Sequence, residues 1–275
     1  MTAGIHFISG LPRSGSTLLS GLLRQNPRFS ASIASPVAAF VDALQAPLSG
    51  SEFASVMDDA RRADMLRGLF DSYYAATRAK LAPDSVVFDT NRTWTARTAM
   101  LAQLFPEARI ICCVREIGWV IDSVERMLNK NPLRTSRIFG FQRGASVYQR
   151  TEALMNGDTG LVGLPWANLR EAWFGAYAKR LILVPYEHLA KEPKRTLQKL
   201  YAELREPYFK HDFNEVSYEE PEYDEHLGMP GMHTLRKKVS YDERTPSIPP
   251  DIFLKYVANQ FWDKPEFNTG GVTIL

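Results

Sequence analysis

The residues best suited to chemistry in this 275-residue chain lie near its start, in Gly10-Leu11-Pro12-Arg13-Ser14-Gly15-Ser16-Thr17. A short apolar run, Ile5 to Ser9, precedes them. Leu18, Leu19, Leu22 and Leu23 follow on one face of a helix over Thr17 to Asn26, which Pro27 stops. A glycine-spaced turn between a strand and a helix aims successive backbone N–H groups at one point, and the helix N-terminus adds partial positive charge. Ser14, Gly15, Ser16 and Thr17 are thereby candidates to hold a phosphate, and Arg13 places a full cation inside the loop. A second anion site is expected farther on. Arg115 ends the apolar run Arg109 to Val114, and Ser123 lies about two turns into the helix that follows. A guanidinium and a hydroxyl so placed converge on one phosphate.

The glycine spacing of the first loop resembles a Walker A turn, yet Ser16 stands where that motif has its lysine. The third strand likewise ends in Arg115 rather than in a metal-organising aspartate. Arginine at both strand ends suits a ligand with two separate anionic groups and no metal. A P-loop small-molecule kinase is the alternative this pattern weakens.

The elements that must position these residues alternate. Strands are expected at Ile5–Ser9, Val86–Phe88, Arg109–Val114 and Arg180–Val184. Helical patterns cover most of 36–80, with breaks near Pro47, Ser49 and Gly50, then Thr95–Phe105, Trp119–Leu128, the stretch after Pro193 and Ile252–Phe261. This is an α/β fold, a P-loop-like parallel sheet flanked by helices, in a single domain over 1–275 with an irregular C-terminal section from about 206. Ligands of such sheets bind at the strands' C-terminal edge. The 33 Lys and Arg balance 31 Asp and Glu, which excludes a generally basic nucleic-acid binder. Cys112 and Cys113 are adjacent, point to opposite faces of one strand and form no disulfide framework, so a reducing, cytoplasmic setting is expected. No apolar run is long enough for a membrane span, and Gly4–Ser9 reads as a strand rather than a leader.

Taken together, the motifs resemble those of sulfotransferases. Pro12-Arg13-Ser14-Gly15-Ser16-Thr17 is similar to their 5′-phosphosulfate loop, Arg115 and Ser123 to their 3′-phosphate pair, and Tyr186-Glu187-His188-Leu189 with Pro193 to a segment after the next strand. The arginine in the loop, the following Thr17-Leu18-Leu19 and Asn26-Pro27 are closest in flavour to tyrosylprotein sulfotransferases. The resemblance spans about residues 5 to 205. It implies the cosubstrate 3′-phosphoadenosine 5′-phosphosulfate (PAPS), no metal, and transfer of a sulfuryl group to an acceptor hydroxyl such as a peptidyl tyrosine. It also implies that Ser14–Thr17 hold the 5′ phosphate, Arg115 and Ser123 the 3′ phosphate, and that Tyr186 lies near the adenine. A catalytically inactive nucleotide-binding homologue is a further alternative.

Two roles then need residues. Arg13 is the candidate to stabilise charge on the leaving phosphate, and Arg92 stands in for the lysine near the transferred group. The base is less plain, because the stretch Ser30–Ala39, where relatives carry a glutamate, has no acidic residue. Asp89 at the end of the second strand is the leading candidate, with Asp42 as the alternative. Among late residues, Arg236-Lys237-Lys238 resembles a basic segment that closes over the nucleotide, so Arg236 and Lys238 are assigned there, with His233 just before them able to reach the ligand. The acidic run 212–225 is expected to be a solvated loop.

Overall fold

The computed structural model describes residues 4–50, 52–130, 132, 133, 136–139, 146–257 and 260–275. Four of its strands are the apolar runs read above: β1 (Gly4–Gly10), β3 (Val86–Thr90), β4 (Ile110–Val114) and β5 (Leu181–Pro185). Two short edge strands, β2 (Phe29–Ala31) and β6 (Thr273–Ile274), complete a six-stranded sheet in the order β2-β3-β1-β4-β5-β6. Every pairing is parallel. At three residues and two residues, the edge strands are too short to show a period, which is why the pattern alone did not show them.

Near-continuous burial on both faces is what a parallel sheet covered by helices requires. Phe7, Val87, Cys112 and Leu183 join the larger core, beneath α2 (Val37–Gly50), α3 (Asp59–Arg78), α4 (Thr98–Leu104), α5 (Ile117–Lys130), α6 (Val147–Met155), α7 (Gly163–Phe174) and α11 (Pro250–Val257). Their neighbours Ile8, Phe88, Cys113 and Val184 join the other core, under α1 (Ser16–Leu23) and α9 (Pro193–Leu204). The two cysteines therefore face opposite layers as expected, and burial pushes the Cys113 thiol up to about 12, leaving it inert. Pro47 lies within α2 rather than breaking it, and the break falls at the short 3₁₀ turn Glu52–Val56. The expected helix to Phe261 ends at Val257, and residues 258 and 259 lie outside the described residues.

The C-terminal section is less irregular than its composition suggested. Between α8 (Tyr186–Lys191) with α9 and the last helix lies α10 (Pro221–His226), inside the acidic run. Around it, Val216 N donates to Lys237 O (2.7 Å), Leu235 N to Tyr218 O (3.0 Å) and Val239 N to Phe213 O (2.8 Å). These bonds fold residues 213–239 into a wrap that returns over α1 and the strand ends. Among the described residues, no helix is long and apolar enough to cross a membrane.

Candidate functional site

The site is built where β1 stops. Gly10 has φ +102°, and a Cβ there would meet the Cys113 carbonyl oxygen at 2.2 Å, so the loop leaves the sheet pressed against β4. Arg13 also takes left-handed backbone, φ 56°, an uncommon state for a non-glycine residue that the surroundings must hold. They do so through its side chain: Nε donates to Ser123 Oγ (3.1 Å) and Nη1 donates to the Met232 carbonyl. One arginine thus ties the loop, α5 and the C-terminal wrap together. Burial, then the nearby Arg115 and Arg92, pull its pKa down to about 10, and it stays charged at neutral pH.

A cavity of about 560 Å³ opens above this loop at the C-terminal edge of the sheet. Gly15, Ser16 and Thr17 floor it, Arg115 and Ser123 line one wall, and Tyr186 closes the side at the start of α8. The Arg115 guanidinium lies 4.1 Å above the Tyr186 ring. Its buried Nε donates no hydrogen bond, the nearest carboxylate oxygen being Glu187 Oε1 at 3.7 Å. Among the described residues, eight arginines and lysines line the cavity against one carboxylate, Asp242. That density of positive charge favours a bound anion, and an unbonded buried guanidinium N–H is a donor awaiting one. A phosphate-rich nucleotide fits this donor set.

The expected residues fall into place unequally. Arg236 and Lys238 line the cavity, Arg236 paired with Asp242 on its exposed rim. The Ser14 side chain turns away: it is fully buried, and Oγ donates to the Pro12 carbonyl (3.2 Å), bracing the loop. Three cations missed from the sequence join the wall, Lys130 at the end of α5 among them. Arg126 and Arg244 both pair with the fully buried Asp122, whose Oδ1 also accepts from the Ser247 amide (2.6 Å). Burial alone would raise the Asp122 carboxyl; Ser247, Arg126 and Arg244 outweigh it and hold it below the usual range. Arg126 lies three residues beyond Ser123, on the same helix face, and that spacing was the available signal.

Asp89 is not placed to act as the base, which corrects the expectation from sequence. It is 0% exposed and lines neither cavity. Its carboxylate accepts from Ser35 Oγ (2.7 Å), Tyr74 OH (2.6 Å) and Trp94 Nε1 (2.8 Å), and so fastens α3 and the segment after β3 to the strand. Burial raises its pKa against the pull of those three donors. Asp42 fares no better: it forms a two-oxygen pair with Arg97 away from both cavities. Arg92, by contrast, is half-buried at the centre of the site.

A second cavity, about 270 Å³, adjoins the first on the β3 side. Ile33, Asn91, Leu161 and Leu164 line it together with Tyr223 from α10. Among the described residues, three line both cavities: Ser16, Arg92 and His233. His233 is 7% exposed, its Nδ1 hydrogen-bonds Asp224 Oδ1, and its amide donates to Asp224 Oδ2 (2.9 Å). The acidic run is therefore not simply solvated, since Asp224 is 1% exposed and Tyr218 is 5% exposed. Gly228 and Gly231, with φ 67° and 75°, make the reversal that brings residue 233 back onto residue 224.

A strand, a glycine-bearing loop and a helix at one end of a parallel sheet, roofed by cations, define an α/β protein with a P-loop-like turn. The comparisons with known proteins narrow that class. A model described as the Sulfotransferase family matches residues 6–210, and the chain belongs to that family of PAPS-using enzymes. A sulfotransferase from Alicyclobacillus acidocaldarius shares the fold at 17% identity and a TM-score of 0.51, over 82% of this chain and 90% of that one. The chain is also similar, at 20% identity and a TM-score of 0.49, to the sulfotransferase domain from the curacin biosynthetic pathway, over 76% of each chain. With the sulfotransferase domain of the Synechococcus PCC 7002 olefin synthase the values are 17% and 0.48, over 94% of each chain. No curated protein matches the chain. The family match stops short of the wrap, so His233, Arg236 and Lys238 lie beyond it.

Proposed function

We propose that the protein transfers the sulfuryl group of PAPS to a hydroxyl-bearing acceptor, with the donor in the larger cavity and the acceptor in the smaller. The observation that carries this reading is the junction: the cavities abut at Ser16, Arg92 and His233, where a group passed from one ligand to the other must cross. The loop amides from Gly15 to Thr17 then receive the 5′ phosphate, while Arg115, assisted by Ser123 and Tyr186, receives the adenosine 3′-phosphate end. Arg236 and Lys238 close the rim.

In such a transfer the bridging oxygen of the leaving bisphosphate gains negative charge. A cation beside it is worth more in the transition state than before it, which is the definition of a catalytic contribution. Arg13, locked by Ser123 and Met232, is preorganised for that position, and Arg92 at the junction faces the group in flight. The arginine-bearing loop extends the reading to a peptidyl tyrosine as acceptor, whose phenol side chain is within the size of the second cavity. Incubation with PAPS and separate pools of tyrosine peptides, phenols and alcohols, followed by mass spectrometry, tests both levels. A product heavier by SO₃ supports transfer and names the acceptor; nucleotide binding with no sulfated product from any pool supports the inactive homologue.

A further inference from the structure

We propose that His233 is the general base of the reaction and that Asp224 is its positioning residue, a dyad delivered by the C-terminal wrap. The inference rests on the sulfotransferase reading and gives it the proton acceptor that Asp89 and Asp42 cannot supply. Three observations carry it. His233 is the one imidazole among the described residues that borders both cavities. Its Nδ1 and its own amide are both engaged by Asp224, which fixes the ring and the tautomer, with the proton on Nδ1 and the Nε2 lone pair unshared. The segment is pinned just before residue 233, by the Arg13 bond to the Met232 carbonyl and by packing of Met229 and Met232 against Met127 of α5. Just after it, the Leu235 amide donates to the Tyr218 carbonyl (3.0 Å).

The charge environment suits a base. Burial lowers the His233 pKa, Asp224 works against that, and Arg92 and Arg13 lower it again, so the imidazole is neutral at neutral pH. The groups facing it are Asp224 and Tyr223 of α10, the Tyr223 ring lying 5.5 Å away, Arg92 after β3, and Arg13 of the loop. In the step itself, the acceptor oxygen forms its bond to sulfur as its proton passes to His233 Nε2. The bond from sulfur to the bridging oxygen breaks, and its electron pair leaves on 3′-phosphoadenosine 5′-phosphate. The proton is then returned to solvent. Because the neutral ring is the active form, the rate rises with pH through the His233 pKa and levels above it.

Three measurements on the full-length protein test this. Calorimetry with 3′-phosphoadenosine 5′-phosphate is expected to give affinities for His233→Gln and Asp224→Asn within about threefold of wild type. Failure of the wild type to bind would overturn the sulfotransferase reading instead. Turnover of 2-phenylethanol is expected to fall by on the order of 10²-fold or more in His233→Gln, but that of 4-nitrophenol, which ionises near neutrality, by under about tenfold. Asp224→Asn should lower alcohol turnover by about tenfold or more and shift the acid limb of its pH profile, with KM little changed. Equal losses on both acceptors, or none, would overturn the base assignment while leaving donor binding intact. The third measurement needs no acceptor: ¹⁵N-histidine NMR is expected to show His233 neutral at pH 7 with its proton on Nδ1 in wild type, and a mixture of tautomers in Asp224→Asn. A proton on Nε2, or a charged ring at pH 7, would contradict the proposal.

Discussion

Two regions meet at the site, and they are held by different means. The proposed donor side, from Gly10 to Thr17 with Arg115 and Ser123, hangs on the ends of β1 and β4, whose residues are almost wholly buried and hydrogen-bonded through the backbone. The wrap, residues 213–239, carries one helix of six residues and continues to 249 along α5. Beside the packing of Val216, Met229 and Met232, it is fastened by particular polar contacts: Gln25 to the backbone of Asp212 at its start (2.8 Å), Asp122 to Ser247, Arg126 to the Thr245 carbonyl (2.6 Å), and Arg13 to Met232. Backbone pairing in a buried sheet tolerates surface change, whereas single side-chain contacts are lost one substitution at a time. Binding on one side and proton chemistry on the other should therefore respond separately to substitution.

The sharpest attempt to break that separation is Arg13→Ala, because Arg13 belongs to both regions. Loss of its charge and of its two anchors is expected to lower kcat by on the order of 10²–10³-fold, with a smaller drop in nucleotide affinity since the loop amides and Arg115 remain. Single-turnover rates set beside calorimetric affinities would check this. Arg115→Ala should do the reverse, weakening 3′-phosphoadenosine 5′-phosphate by about tenfold or more while a saturated rate changes little. A fall in kcat as deep as that of Arg13→Ala would merge the two roles.

A smaller effect, on stability and not on rate, is expected at Asp89. Replacing it with Asn leaves Ser35, Tyr74 and Trp94 donating to a neutral group that presents a donor of its own, at a cost of about 3 kcal/mol. Thermal denaturation would register a fall of several degrees while the kcat of the surviving protein stays within about threefold. Acid should weaken both regions more gently. His6 in β1 and His211 at the foot of the wrap are buried and held down to about 4, chiefly by desolvation. A folded-state pKa below the unfolded value means that the unfolded chain binds more protons, so stability is full above about 6.5 and is lost as the pH falls toward 4. Each histidine contributes about 2 kcal/mol of loss by pH 5. Denaturant titrations at pH 7 and pH 5 for wild type, His6→Asn and His211→Asn would apportion the loss.

The same contrast explains what could be read in the chain. The loop, Arg115, Ser123 and Tyr186 were legible because each follows a strand at short range, and a period of two turning into a period of 3.6 marks that place. Asp89 shows the limit. Its position at a strand end was read correctly, but whether a strand-end carboxylate faces the cleft or the core depends on Tyr74 of α3 and on Trp94, contacts that no local pattern encodes. The pairing of Asp224 with His233 lies farther from legibility: the basic residues after His233 mark it as near the ligand, but its link to a carboxylate nine residues earlier signals nothing until Gly228 and Gly231 reverse the chain.

The central claim, that the cationic cavity is a bisphosphate-nucleotide donor site joined to an acceptor site at Ser16, Arg92 and His233, is most directly tested by calorimetry on the wild-type protein. We expect 3′-phosphoadenosine 5′-phosphate to bind with one site per chain in the presence of a chelator, and ATP with Mg²⁺ not to displace it. Binding of ATP with Mg²⁺ and none of the bisphosphate would contradict the account.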